Sequence, residues 1–296
     1  MSKHAYLILA HTNIPQLAVL LSMLDYDQND IFVHIDAKQK EYDKSMLQSA
    51  VKKSILYLLD NPISVEWGQY SGIEVKLKIL EEAVCHGPYS FYHLISGTDL
   101  PIKPQKQIHI FFDKHTGKEF IHFEYGKHDY SYRYKYYYDF LKDRPRPKSK
   151  LDKGLIRLRA SMQALAGIDR TKKYPDIVFR KGSNWFSITD AFAKELLAYR
   201  DWIFEAFHST YCADECVVQT IAYNTSFRDA VYDMGENSDQ HAIMRMIDWQ
   251  RGHPYVFRST DFDQLVHSDY LFARKFDMNV DSDIIYKIRD YILSEQ

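Results

Sequence analysis

Cysteine is scarce in this chain: three in 296 residues, at Cys85, Cys212 and Cys216. Cys212 and Cys216 lie four apart and no His pair follows at finger spacing, which argues against a structural zinc site. So small and odd a set suits a reducing compartment, and a cytoplasmic protein is expected. A basic excess is missing too. With 38 Lys and Arg against 40 Asp and Glu the formal net charge is −2, so nucleic acid is not an expected partner. Long apolar runs are absent. The N-terminal "AYLILA", residues 5–10, is too short for the core of a signal peptide or for a membrane span and reads as a buried strand. No later segment is apolar for long enough to cross a bilayer, and no internal repeat stands out.

What is present describes a soluble globular protein, with 46% apolar and 26% charged residues in a chain long enough for one large domain or two closely joined ones. Tyrosine (23) and phenylalanine (17) exceed ordinary usage. So many rings suit sugar-stacking clefts, and equally plain packing. Strand and helix patterns alternate through the first half. "AYLILAH" and "DIFVHIDAK" read as strands separated by the helical "NIPQLAVLLSML". "SILYLLD" precedes the amphipathic "GQYSGIEVKLKILEEAV", and "SFYHLISGTDLP" is a strand ending in a turn. "GSNWFSITDAFAKELLAY" follows as strand and helix, and "DECVVQTIAYN" as a further helix. Short apolar strands between helices predict an α/β fold with a mostly parallel central sheet flanked by helices. Ligands of such sheets bind beyond the C-terminal strand ends, which singles out His11, Asp36 and the "SGTD" turn.

Residues 128–159 change texture: basic, tyrosine-rich and broken by Pro145 and Pro147. They read as a solvated excursion followed by an amphipathic helix, or as a contact with anionic membrane from about Lys127 onward. Near the C-terminus "LFARKFD" sets Arg274 beside Lys275. Adjacent residues of a regular element do not share a face, so the pair is either solvated surface or two cations aimed at one anion. Asp-x-Asp occurs at Asp25–Asp27, Asp261–Asp263 and Asp281–Asp283, a pattern that can hold a divalent ion on a diphosphate. None of the three closes a long apolar strand of the first half, so fixed cations are the more attractive diphosphate ligands.

"VHIDAK", "WGQYSGIEVKLKILEEA", "LISGTDLPIK", "KGSNWFSIT", "ADECVVQTIAYN", "IDWQRGHP" and "LFARKFD" occur in the order found in the core-2/I-branching glycosyltransferases. The chain resembles that family, which includes the peptide O-xylosyltransferases, from about Tyr6 to Asp277. The resemblance implies a GT-A-like nucleotide-sugar fold, one domain over 1–296 with a nucleotide-binding half (about 1–125) and an acceptor and catalytic half (about 126–296). It also implies inversion at the anomeric carbon without a metal cofactor.

Carried over, Glu215 of "ADECVVQT" becomes the base that takes the acceptor proton. Asp214 and Glu215 would open a helix, whose dipole favours carboxylates. Arg274 and Lys275 become the cations on the leaving diphosphate, with Arg251 or Arg245 as a further arginine. Asp36 resembles a uracil or ribose contact, with Ala10 and His11 on the same pocket, and Asp99 a residue facing the sugar end of the donor. As plain turn residues both aspartates would instead satisfy backbone donors. Trp67 is a stacking residue for the nucleotide or a sugar, and Asp214, Trp185 and Trp249 lie on the acceptor side. One departure stands out: the xylosyltransferases carry an aspartate where this chain has Asn184, which cannot serve as a base.

The resemblance suggests transfer of N-acetylglucosamine from its UDP-sugar to a glycan or lipid-linked glycan, and a cytoplasmic place at or near the inner face of the cell membrane is expected. UDP-xylose, UDP-galactose or UDP-glucose are alternative donors. A catalytically silent carbohydrate- or nucleotide-binding module is the alternative of a different class.

Overall fold

The computed structural model describes residues 2–126, 128–141, 149–235 and 240–295. Its strands are β1 (His4–Ala10), β2 (Asn29–Ile35), β3 (Ile55–Leu58), β4 (Phe91–Ser96), β5 (Asp99–Pro101), β6 (Phe120–Phe123), β7 (Gly182–Ile188), β8 (Arg245–Ile247) and β9 (Phe272–Arg274). The helices are α1 (Ile14–Leu24), α2 (Lys44–Ser49), α3 (Ser71–His86), α4 (Gln105–Lys114), α5 (Tyr132–Lys135), α6 (Lys150–Leu165), α7 (Asp190–Ala198), α8 (Arg200–Phe207), α9 (Val217–Tyr223), α10 (Phe262–His267) and α11 (Ser282–Ser294).

The main sheet runs β3-β2-β1-β4-β7-β6. The first four strands are mutually parallel and β7 is antiparallel to both its neighbours. Four parallel strands continued across one reversed strand form the GT-A-like arrangement, with helices on both faces. Along β1 the side chains alternate between two cores. Tyr6, Ile8 and Ala10 join Leu17, Leu20, Ile284 and Ile288 on the α1–α11 side. Ala5 and Leu7 join Ile73, Leu77, Phe192 and Ile221 on the α3–α7–α9 side. Strands buried on both faces explain why their sequences read as continuous apolar runs.

Helix starts follow local signals. Asn13, in the left-handed region at φ 55°, accepts the Gln16 amide and caps α1, while Thr189 caps α7 and Asp281 caps α11. Two expected elements are broken. "SFYHLISGTDLP" leaves the main sheet after Ser96, and Asp99–Pro101 pairs instead with β9 in a second sheet, β5-β9-β8. "DECVVQTIAYN" begins as a 3₁₀ turn, Ala213–Glu215, before α9.

Register places the site. Ala10 pairs with Ile35 and Leu9 with Ser96, so β1, β2 and β4 end level and their next residues emerge on one edge. In the second sheet Asp99 is directly opposite Arg274, and Ile247 flanks Arg274 from the other side. The C-terminal "ARK" thereby reaches the edge formed by the N-terminal strands.

Candidate active site

Beyond the strand ends lies a cavity of about 930 Å³ whose wall includes His11, Trp67, Ser96, Arg133, Asn184, Trp185, Asp214, Glu215 and Arg274. A second cavity of about 500 Å³ shares Trp67, Asn184, Trp185, Glu215 and Arg274 with it and extends to Glu124, Lys181, Trp249 and His253. The five shared residues form the boundary at which a molecule in one cavity meets a molecule in the other.

Arg274 anchors the cationic side of that boundary. Its guanidinium donates to Ser96 Oγ at 2.6 Å, Thr98 Oγ1 at 3.0 Å and Asp99 Oδ1 at 2.6 Å. It also lies over the Trp185 ring, 4.7 Å from the centroid, an arrangement that fits the planar delocalised cation. Asp99 has no exposed surface; it also binds the fully buried Arg245 at 3.3 Å and the Ser96 amide at 3.0 Å. Burial pushes the Arg245 guanidinium down to about 10, with Asp99 opposing and Arg274 adding to the shift. His11 is lowered by burial first; Asp36 opposes this, while Lys275 and Arg274 lower it further. Lys275 is half-buried and forms no ion pair among the described residues.

Glu215 holds the acidic side. Its carboxylate accepts from Arg133 at 2.6 Å and lies 3.6 Å from the Lys181 ammonium. Lys181 in turn faces Glu124 at 3.5 Å and the Tyr130 ring at 4.4 Å. Beneath this turn lies Lys76 of α3, buried and reaching both Asn184 Oδ1 and the Asp214 carbonyl. Asn184 Nδ2 donates to Asp214 at 2.9 Å. Burial lowers the Lys76 pKa, and Asp214, Glu215 and Cys216 oppose that shift. One ammonium thus ties α3, β7 and the Glu215 turn together.

A profile of the "Core-2/I-Branching enzyme" family matches residues 4–268. The chain belongs to the core-2/I-branching enzyme family. Among curated members, dog xylosyltransferase 2 is 23% identical over 98% of this chain and 33% of its own length. A cattle β-1,3-galactosyl-O-glycosyl-glycoprotein β-1,6-N-acetylglucosaminyltransferase 3 is 21% identical over 97% of this chain and 67% of its own. The chain spans about a third of the xylosyltransferases it matches. A solved structure, apo mouse xyloside xylosyltransferase 1, is more loosely similar: TM-score 0.36 and 12% identity over 91% of this chain and 96% of the other.

The branching-family motifs converge only partly. Glu215, Asp214, Trp185, Trp67, His11 and Arg274 share the first cavity wall, and Trp249 lies on the second. Four of the expected positions are engaged within the fold. Asp99 cannot face a donor, because it is fully buried between two arginines. Arg251 is committed to Asp248 and, at 2.8 Å, to Asp261, and it lies on neither wall. Ala10 is buried with its carbonyl on the Asp36 amide, and Leu9 and His11 line the cavity instead. The Asp36 oxygens accept the Lys38 and Val65 amides at 2.9 and 3.2 Å, as a turn aspartate does.

Glu215 and Asp214 also precede α9 on a single 3₁₀ turn, and cations take the place expected of a helix dipole. One aspartate of each Asp-x-Asp pair is engaged by amides or an arginine. Asp25 accepts three amides from residues 52–54, Asp261 binds Arg251 and the Arg258 amide, and Asp281 caps α11. Among the described residues no group of three or more His, Cys, Asp or Glu is placed to hold a metal.

The family motifs did not point to Arg133, Tyr132, Tyr136 or Tyr138, which come from the basic, aromatic stretch read as an excursion and now line the cavity. An arginine among tyrosines was the available signal. Lys76 and Lys181 lie inside quoted motifs, at positions that only the fold turns toward Asp214 and Glu215. Lys127, Pro145 and Pro147 lie outside the described residues.

Proposed function

We propose that this chain is an inverting glycosyltransferase that moves N-acetylglucosamine from its UDP-sugar to a hydroxyl of a glycan or lipid-linked glycan, without a metal. The observation that carries this reading is that Glu215 and Arg274 border the same two cavities. The acceptor oxygen attacks the anomeric carbon from one side as its proton passes to Glu215. The bond from that carbon to the diphosphate breaks, and UDP leaves with its new negative charge facing Arg274; Lys275, the next residue, lines neither cavity wall. Arg133 and Lys181 orient the base. Trp67 and Trp185 supply ring faces on the shared wall, and Trp249 supplies one on the second cavity.

Asn184 supports a donor other than UDP-xylose: its amide is held between Lys76 and Asp214, and it cannot take a proton. The similarity to xylosyltransferase 2 keeps UDP-xylose as the second reading. The test is a panel of UDP-N-acetylglucosamine, UDP-xylose, UDP-galactose and UDP-glucose, with EDTA throughout, on the native protein and Glu215→Gln. Turnover of one donor is expected, with UDP affinity unchanged in the variant and turnover reduced by about 10²–10⁴. Binding without turnover of any donor would indicate a silent module. A variant within a few-fold of the native rate would place the base elsewhere.

A further inference from the structure

Helix α6 carries Leu151, Leu155, Leu158, Met162 and Leu165, spaced four, three, four and three apart. At 3.6 residues per turn these fall within an arc of roughly 80°. The stripe is uncovered: Leu151 is 86% exposed, Leu158 58%, Met162 60% and Leu165 90%. The opposite side of the same helix lines the first cavity through Ile156, Ala160 and Ala164. Gln163 fastens it to both backbone groups of Tyr137, at 2.9 and 3.0 Å. A well-capped helix thus has the active-site cavity behind it and an apolar stripe in front.

The charge around the stripe indicates what covers it. Eleven of the 38 Lys and Arg fall between residues 127 and 159, with only four of the 40 Asp and Glu. That segment is therefore at +7, and the remainder of the chain, with 27 cations against 36 anions, at −9. Exposed Lys150 and Arg157 flank the stripe on one side and exposed Arg159 on the other. A second copy would bring the exposed cations Lys150, Arg157 and Arg159 against their own counterparts, whereas an anionic bilayer offers both the charge and the apolar layer such a helix needs. Among the described residues no helix is long and apolar enough to cross a membrane.

We infer that α6 lies in the interface of an anionic lipid bilayer, its leucine stripe inserted and its other face forming the wall of the cavity. Docking stands on the stripe and the charge alone. Its consequence, that a lipid-carried acceptor reaches Glu215 from the membrane side, rests on the transfer reading above.

Flotation with vesicles tests it, using phosphatidylcholine alone and phosphatidylcholine mixed with phosphatidylglycerol. The native chain is expected to float with the mixed vesicles only, and less so as salt rises. Leu158→Glu combined with Leu165→Glu is expected to lower that binding at least about tenfold. Thermal midpoint and UDP affinity are expected to stay unchanged in the double variant, since both side chains are exposed and neither lines the active-site cavity. No flotation of the native chain, equal flotation with neutral vesicles, or flotation retained by the double variant would each overturn the proposal. So would a native dimer that the double variant converts to monomer. Failure of the donor panel would leave the flotation result standing.

Discussion

Asp99 sits between two guanidiniums, 3.3 Å from Arg245 and 2.6 Å from Arg274, with no exposed surface. Arg245 is equally buried, and its Nη2 donates to the Leu94 carbonyl at 3.2 Å. A charge held in low dielectric is tolerated only while its partner is present. Asp99→Asn would leave Arg245 without its counter-ion, and a loss of about 3–5 kcal/mol is expected in urea unfolding. UDP affinity should fall as well, because Arg274 loses its shortest ion pair. An unchanged unfolding midpoint would mean that Arg245 finds its balance elsewhere. In the sequence "GTDLP" marked this aspartate as important, but nothing there said that its partner would be an arginine rather than a ligand.

At the scale of elements, the junction of β6 and β7 decides where Asn184, Trp185 and Lys181 stand. The two strands slip in register between Ile121 and Phe123, and Phe123 pairs with Gly182. A Cβ on Gly182 would lie 1.7 Å from the His122 carbonyl oxygen and 2.9 Å from the Gln219 side chain. Neither a strand carbonyl nor Gln219, which donates to the Ser183 carbonyl at 2.7 Å, can move aside freely. Gly182→Ala is therefore expected to force the strands apart and cost more than the about 1–3 kcal/mol of ordinary overpacking. Thermal unfolding would check this; a midpoint within a degree or so of native would refute the close approach. The glycine of "KGSNWFSIT" was visible as part of a motif. Its reason, a backbone passing at contact distance, belongs to the pairing of two strands about 60 residues apart and has no local signature.

Across the whole molecule, four imidazoles lie buried away from the site. His4 stacks on His109 with ring centroids 3.8 Å apart and meets His93 Nε2 at 3.1 Å. His34 accepts the Ile63 amide on Nε2 at 2.8 Å, a bond its protonated form cannot make. Burial lowers His34 and His109 to about 4, with Asp36 and Asp113 respectively opposing. Burial, reinforced by the neighbouring imidazoles and, for His93, by Arg245, holds His4 and His93 well below the usual range.

The sign follows from linkage. Below about pH 6.5 the unfolded chain gains protons that the folded one refuses, so stability present at neutral pH is lost as pH falls toward 4. His34 and His109 would each contribute about 3 kcal/mol to that loss. Glu119 works the other way: burial raises its carboxyl from 4.5 to about 7 against two bonds from Thr189, so its contribution is lost as pH rises between those values. Four groups outweigh one, and the urea midpoint is expected to drop steadily from pH 6.5 to 4. A flat profile over that range would contradict the buried neutral state of these rings.

The local code was enough for the α/β alternation, because strands buried on both faces must be apolar throughout and capped helices carry Asn, Thr or Asp at their starts. Motif order was enough for the family, and it singled out Glu215 and Arg274, which the fold brings to the border of the same two cavities. Only the tertiary structure decided the rest. After Ser96 the chain leaves β4, and Asp99 pairs with Arg274 across a second sheet. Residues 132–138 turn inward because Arg133 finds Glu215, 82 positions away. Both are long-range pairings of charge, whose energy depends on distance in space, and a linear pattern carries no record of that distance.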